Sequence, residues 1–195
     1  MFVSHLTGEL GESYACGGLA LTLFMAGYDA VVIKGRSPRP VYLSINTNDV
    51  CLKDARQLWG QSSDETGRLI REREPGGGKR SIIRIGQAGE NGVAFASVCV
   101  DTYRHFGRLG LGASFGSKQL KAISIIGGRN VPIRNFKEYF KTYQDIYKKC
   151  TDTDMMAKYH DLGTPINVEP LNASGGLPTK NLSAGRFEHA SDISG

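Results

Sequence analysis

Apolar positions along the chain fall into short runs and alternations cut by glycine-rich turns, a spacing that predicts a mixture of helices and strands. Met1 to Glu12 is mixed, interrupted by Gly8 and Gly11, and predicts no clear element; so abrupt a start reads as the middle of something larger. From Ser13 the period becomes helical: Leu19, Leu23 and Phe24 share a face with Cys16 and Ala20, and Gly27 is placed to stop the helix. Ala30-Val31-Val32-Ile33 predicts a buried strand, Val41 to Ile45 an alternating one, and Val50 to Lys53 its return after a turn at Asn46 to Asp49. Asp54 caps a short helical turn that ends near Gly60, with Trp59, the only tryptophan, expected in the core. Ser62-Ser63-Asp64-Glu65 is a capping box, and the helix it opens carries Leu69 and Ile70 inward to about Arg73. Glu74-Pro75-Gly76-Gly77-Gly78 predicts a flexible loop, Ser81 to Ile85 a strand, Gly86 to Gly92 a turn, and Val93 to Val100 a longer strand.

That strand leads into Arg104-His105-Phe106-Gly107-Arg108-Leu109-Gly110-Leu111-Gly112-Ala113-Ser114-Phe115-Gly116-Ser117-Lys118, with four glycines within ten residues and arginines in front. Glycine lets backbone approach a ligand closely, and a helix beginning at Gly112 would present free N–H groups to an anion, phosphate above all. A glycine-rich surface turn with solvated arginines is the alternative on spacing alone. Leu120 to Ile126 predicts a further strand. Tyr28 to Gly35 aligns with Leu120 to Gly127, which suggests a duplicated unit of glycine loop, helix and strand, with Ser13 to Gly18 as twin of the Arg104 loop. Asn135 to Lys149 is amphipathic, with Phe136, Tyr139, Phe140, Tyr143 and Tyr147 spaced to pack on a core, and residues 151–195 predict loops and short helical pieces.

Composition narrows the classes. The 195 residues include 40% hydrophobic and 22% charged ones, enough for one sizeable domain plus a tail, and the 25 glycines exceed the norm of roughly 7%. The formal charge of +5 is spread along the chain without a dense basic run, so it reads as a solvated surface plus one anion site and not as a nucleic-acid interface. No apolar stretch reaches the roughly 18 residues of a membrane span. Cys16, Cys51, Cys99 and Cys150 form no CxxC pair and therefore no local zinc or iron–sulfur set, and Cys51 and Cys99 read as buried thiols of a cytoplasmic protein. His5, His105, His160 and His189 are scattered, with no HExxH or GxSxG. Gly110 to Gly116 gives GxGxxxG, a loose relative of the dinucleotide fingerprint, and Gly116-Ser117-Lys118 inverts the P-loop order.

Four blocks in order resemble one family. Ala26-Gly27-Tyr28-Asp29-Ala30-Val31-Val32-Ile33-Lys34-Gly35, Leu58-Trp59-Gly60, Ile85-Gly86-Gln87-Ala88-Gly89-Glu90-Asn91, and Gly107-Arg108-Leu109-Gly110-Leu111-Gly112-Ala113 with Gly116-Ser117-Lys118-Gln119-Leu120-Lys121-Ala122-Ile123 are similar to aldehyde ferredoxin oxidoreductases. The resemblance covers about residues 13–133, more loosely to 185. It implies an α+β fold of two pseudo-symmetric halves with mainly antiparallel sheets, forming a saddle that cradles pterins, followed by a loop-rich tail. Residues 1–133 would be an incomplete N-terminal domain, and 134–195 the helix and loop-rich start of the next.

The family uses tungsten, or molybdenum in relatives, held by two pterin dithiolenes beside a [4Fe-4S] cluster, and it oxidises aldehydes with ferredoxin as electron acceptor. Carried over by resemblance, Arg104, His105, Gly107 and Arg108 fall on a pterin-contacting loop, with the His105 carbonyl on a magnesium ion that bridges the pterin phosphates. Tyr14 and Cys16 fall on the twin loop, with the Tyr14 carbonyl as a second magnesium ligand, although Tyr14-Ala15-Cys16-Gly17 replaces the family's usual Asn-Ser-Gly-Gly. The family's first strands would precede Met1 and its cluster cysteines would follow Gly195, so the chain reads as a fragment, split-gene product or subunit whose partners are the remaining domains or subunits; a homodimer is a further assembly left open. An NADP- or phosphate-binding domain and a non-catalytic remnant or scaffold are the alternative readings.

Overall fold

The computed structural model describes residues 1–74, 76 and 79–195, and it divides into two compact units, Met1–Val131 and Pro132–Gly195. The expected loop at Pro75, Gly77 and Gly78 lies outside the described residues.

The first unit opens with a two-stranded antiparallel pair, β1 (Phe2–Val3) and β2 (Leu10–Gly11), where no clear element is expected from the sequence. Helix α1 spans Leu19–Ala26, and Gly27 ends it in the left-handed region, as its spacing predicts. Strands β3 (Val41–Asn46) and β4 (Val50–Asp54) form the anticipated hairpin, its turn held by the Asn46 side-chain oxygen, which accepts from Asn48 and Asp49 N–H. Helix α2 (Ser63–Arg73) is capped by Ser62 Oγ, which accepts from Glu65 N–H at 3.1 Å. Strand β5 (Arg80–Arg84), helix α3 (Gln87–Glu90), strands β6 (Val98–Val100) and β7 (Arg104–Phe106), helix α4 (Leu111–Ser117) and strand β8 (Leu120–Ile126) complete the unit.

These strands form one six-stranded mixed sheet in the order β4-β3-β8-β5-β6-β7, in which only β3–β8 is parallel. Alternation along β3 and β8 sorts side chains onto two faces. Val41, Leu43, Ile45, Ile123 and Ile125 join Phe115 of α4 and Ala26 of α1, while Tyr42 and Ala122 join Ile70 of α2 and Leu58. The α+β class therefore holds, with helices on both faces of the sheet.

Several expectations are corrected. Residues 30–33, predicted as a strand, enter no sheet, whereas their proposed twin is the central strand β8, so the duplicated unit is not reproduced at that segment. The long strand over Val93 to Val100 shrinks to Val98–Val100, because the Ala96 carbonyl accepts from Gly112 N–H of α4 and the Val93 carbonyl accepts from Ala96 N–H in a turn instead of a ladder. The turn at Gly86 to Gly92 contains α3. Leu58, not Trp59, fills the core, and Trp59 is only half-buried. Cys51 and Cys99 are also half-buried, and all four thiols are free.

A buried carboxylate ties the hairpin to α2. Glu74 is 4% exposed and accepts from Tyr42 Oη (2.7 Å), Ser44 Oγ (3.0 Å) and Lys53 Nζ (2.8 and 2.9 Å). Burial alone would raise its pKa, but the Lys53, Tyr42 and Ser44 hydrogen bonds outweigh burial and hold it below the ordinary value, while the Tyr42 phenol is raised, first by burial and then by Glu74.

The second unit is helical: α5 (Phe136–Thr151), α6 (Asp154–Leu162) and α7 (Val168–Ser174), with 3-10 turns at Thr164–Asn167 and Ala190–Ile193. Asn135 caps α5 and Thr153 caps α6. The aromatic stripe of α5 stacks upon itself, with Phe136–Phe140 centroids 6.3 Å apart and Tyr143–Tyr147 at 6.0 Å, yet no residue of the helix is buried; the expected core packing is absent within the described chain.

Because the Glu74 carboxyl is depressed in the folded state, its stabilisation is fully present above its unfolded pKa near 4.5 and is lost as pH falls through the folded value. Glu74→Gln is expected to cost about 1–3 kcal/mol at pH 7. Its deficit relative to the parent should shrink below pH 4 in urea denaturation; a deficit independent of pH would refute this assignment.

Candidate functional site

The glycine-rich stretch after β7 serves packing first. Gly110 has φ +75°, and a Cβ there would stand 1.8 Å from the Ala94 carbonyl oxygen. A Cβ on Gly116 would stand 1.9 Å from the Gly89 oxygen, where no L side chain fits. Gly112 N–H donates to the Ala96 carbonyl at 2.8 Å. The expectation of free N–H groups at the start of α4 is thus corrected: its entrance is filled by protein backbone, and the GxGxxxG glycines seat a helix on α3 and on residues 94–97 rather than on a nucleotide.

The open helix start belongs to α1. It follows Gly17-Gly18, and Gly18 provides no capping side chain. Among the described residues, Leu19, Ala20 and Leu21 N–H have no acceptor; the first bond of the helix is Thr22 N–H to the Gly18 carbonyl at 2.9 Å. These donors and the helix dipole favour an anion. The sequence carries a signal for this open start, beyond the site residues expected above: no Ser, Thr, Asp or Asn immediately precedes Leu19.

The structure brings the two expected loops together. Arg104, His105 and Phe106 are not loop residues but edge strand β7, paired so that Val100 faces Arg104 and Cys99 faces His105. An edge strand leaves part of its backbone without ladder partners, so the β7 edge offers carbonyl and N–H groups to a ligand. Arg108 N–H then donates to Ser13 Oγ at 3.1 Å, and a Cβ on Gly17 would lie 3.4 Å from Arg104 Cγ. Ser13 is thus a tie between the loops that the site residues named from sequence did not include.

Arg104, His105, Gly107 and Arg108 are exposed, as are Tyr14 and Cys16. Among the described residues neither arginine makes an ion pair. A Cβ on Gly107 would meet nothing within 4 Å, so space beside it is open. Tyr14 donates its hydroxyl to the Glu12 carboxylate; that bond and the Glu12 charge raise the phenol pKa, while Arg108 acts to lower it. The assembly of a bare helix N-terminus, two unpaired guanidiniums and open space beside a glycine fits a phosphate-bearing cofactor. Among the described residues, no three His, Cys, Asp or Glu side chains group as a metal site. No helix among them is long and apolar enough to cross a membrane.

Comparison with known proteins converges on one group. The family described as "aldehyde ferredoxin oxidoreductase, N-terminal domain" matches residues 1–127. The tungsten-containing aldehyde ferredoxin oxidoreductase of Thermococcus kodakarensis is 38% identical over 196 aligned positions, 98% of this chain and 32% of that protein. The protein of the same name from Pyrococcus furiosus is 36% identical over the same shares. The chain thus spans about a third of the length of these relatives. Among solved structures, the active-site complex BamBC of benzoyl coenzyme A reductase, in complex with 1,5-dienoyl-CoA, superimposes with a TM-score of 0.67 and 34% identity over 75% of this chain and 22% of that one.

The two classes of glycine separate experimentally. Gly116→Ala is expected to destabilise the first unit by about 1–3 kcal/mol or more through overpacking. Gly107→Ala should stay within about 0.5 kcal/mol of the parent in thermal or urea unfolding. Equal effects would contradict the packing assignment.

Proposed function

The chain belongs to the aldehyde ferredoxin oxidoreductase family, and we propose that it is the part of such an enzyme that holds and positions a tungsten–pterin cofactor. The observation that carries this reading is the meeting of the α1 entrance with the Arg104–Arg108 segment through the Ser13–Arg108 hydrogen bond. In this reading, Leu19, Ala20 and Leu21 N–H donate to a phosphate of the cofactor, and Arg104 and Arg108 supply the countercharge. Gly107 allows the cofactor close to the backbone, and the Cys16 and Tyr14 segment lines the opposite side. The carbonyls of His105 and Tyr14 would face a magnesium ion between two phosphates; backbone ligands make this role indifferent to the side chains at those positions.

Because carbonyl, N–H and guanidinium groups bind anions and hard cations, this chain would hold the phosphate-bearing periphery of the cofactor and not its metal. When bound, the cofactor supplies the two-electron oxidation of an aldehyde to a carboxylic acid. Substrate choice, the [4Fe-4S] cluster and transfer to ferredoxin belong to other domains or subunits of the assembled enzyme. We further assign the two cofactor-contacting loops to pseudo-symmetric halves of a saddle completed by that additional polypeptide. The four free thiols support a reducing, cytoplasmic setting.

The test is cofactor retention. In the assembled enzyme, Arg108→Ala should lower the tungsten-to-protein ratio after gel filtration and weaken retention about 10- to 100-fold, the range expected for a charge-assisted hydrogen bond. Arg36→Ala, an exposed arginine elsewhere, should leave the ratio unchanged. Unchanged tungsten content in Arg108→Ala, measured by elemental analysis, would overturn the proposed grip.

A further inference from the structure

The segment at residues 29–34 has the chemistry of a β-strand and no strand partner. Val31, Val32 and Ile33 are β-branched and alternate in exposure: Val32 is 77% exposed, Val31 is 39% exposed, and Ile33 is half-buried. The segment is anchored at both ends. Tyr28 N–H donates to the Leu23 carbonyl at 3.2 Å, and the Gly35 carbonyl accepts from Lys118 Nζ at 3.0 Å. Between these anchors, no backbone N–H or C=O of residues 29–34 has a hydrogen-bond partner among the described residues. Behind it, Val31 and Ile33 line an apolar cavity of 270 Å³ with Leu23, Phe106, Ile123 and Ile125. Leu23, Ile33 and Phe106 are only partly buried against the core, and the cavity beside them has room for further apolar groups.

We propose that residues 29–34 form a docking edge for one β-strand from the polypeptide that carries the remaining two thirds of the relatives' length, whether continuous with this chain or separate. The occupant is an extended segment of alternating apolar residues. Its backbone pairs with the Ala30–Lys34 edge, and its inward side chains enter the cavity beside Leu23 and Phe106. Main-chain pairing provides affinity in such strand addition, and the pocket selects the side chains. A second copy of this chain fits less well: self-pairing through six residues buries far less than the roughly 1,200 Å² of a stable interface. The inference rests on the reading that further polypeptide completes the enzyme, but not on the identity of its cofactor.

Amide hydrogen exchange tests it on the full chain and on a chimera in which residues 1–195 replace the matched third of the Thermococcus kodakarensis enzyme. In the isolated chain, the amides of Val31–Lys34 should exchange as freely as unpaired backbone, while those of β8 are protected. In the chimera, the same amides should slow by on the order of 100-fold or more. Val32→Pro, which removes a donor from the edge, should leave the unfolding midpoint of the isolated chain nearly unchanged and reduce chimera assembly. Should the chimera not fold, 12-residue peptides tiling the unmatched parts of that enzyme provide the second measurement, and at least one of alternating apolar pattern should protect the segment. Protection already present in the isolated chain, protection that rises with its concentration alone, or no protection in chimera or by peptides would overturn the inference. Tungsten bound by a chimera with unprotected 29–34 would sink this proposal and leave the cofactor reading standing; protection without tungsten would do the reverse.

Discussion

Backbone-on-backbone seating of α4 is the constraint on which the first unit depends. Gly112 N–H reaches the Ala96 carbonyl, and the missing Cβ atoms at Gly110 and Gly116 let the helix approach Ala94 and Gly89. With the Ala96 carbonyl bonded to α4 and the Val93 carbonyl accepting from Ala96 N–H in a turn, residues 93–97 do not continue as a ladder, and the strand that follows is short. The chain therefore turns at Asp101–Tyr103 and comes back as edge strand β7, which places Arg104 and Arg108 beside the α1 entrance. Ser4 Oγ, donating to the Leu109 carbonyl at 2.8 Å, pins the N-terminal strand pair to the same corner.

Buried polar groups hold the surroundings in register. Lys121 is fully buried and donates to the Glu90 carboxylate and, at 2.9 Å, to the Gln61 carbonyl. Glu90 also accepts from Gly60 N–H at 2.8 Å, so β8, α3 and the Leu58–Gly60 turn share one ion pair. Arg84, 5% exposed, donates to the Ser63 and Asp101 carbonyls and so fastens the start of α2 to the turn before β7. Removing one partner of such a pair leaves a buried charge uncompensated, so these contacts specify the arrangement even where their net stabilisation is small.

Much of this was legible in the sequence, for local reasons. The β3–β4 hairpin, the Ser62 cap of α2, the Gly27 stop and strand β8 all follow from turn chemistry, capping or alternation within a few residues. The failures are non-local. Residues 30–33 have strand chemistry, but a strand also needs a partner, which the described chain does not supply. The glycine spacing predicts a phosphate cradle because closeness to a ligand and closeness to another backbone demand the same residue. Only the carbonyls of Ala94, Ala96 and Gly89 distinguish the two. The aromatic stripe of α5 shows amphipathicity without showing what covers it. At the candidate site, charge and glycine spacing point to the arginines and the missing cap residue before Leu19 to the open start of α1, whereas Ser13 joins the site only through the contact between the two loops.

The central claim is that one anionic group of the cofactor sits between the α1 entrance and the arginines of the β7 edge. Anomalous diffraction at the tungsten edge from crystals of the assembled enzyme, combined with the ligand density, tests it directly. A phosphate is expected within hydrogen-bond distance of Leu19–Leu21 N–H and the Arg108 guanidinium, with the metal beyond it. A cofactor located elsewhere, with α1 and Arg108 facing only solvent, would contradict it.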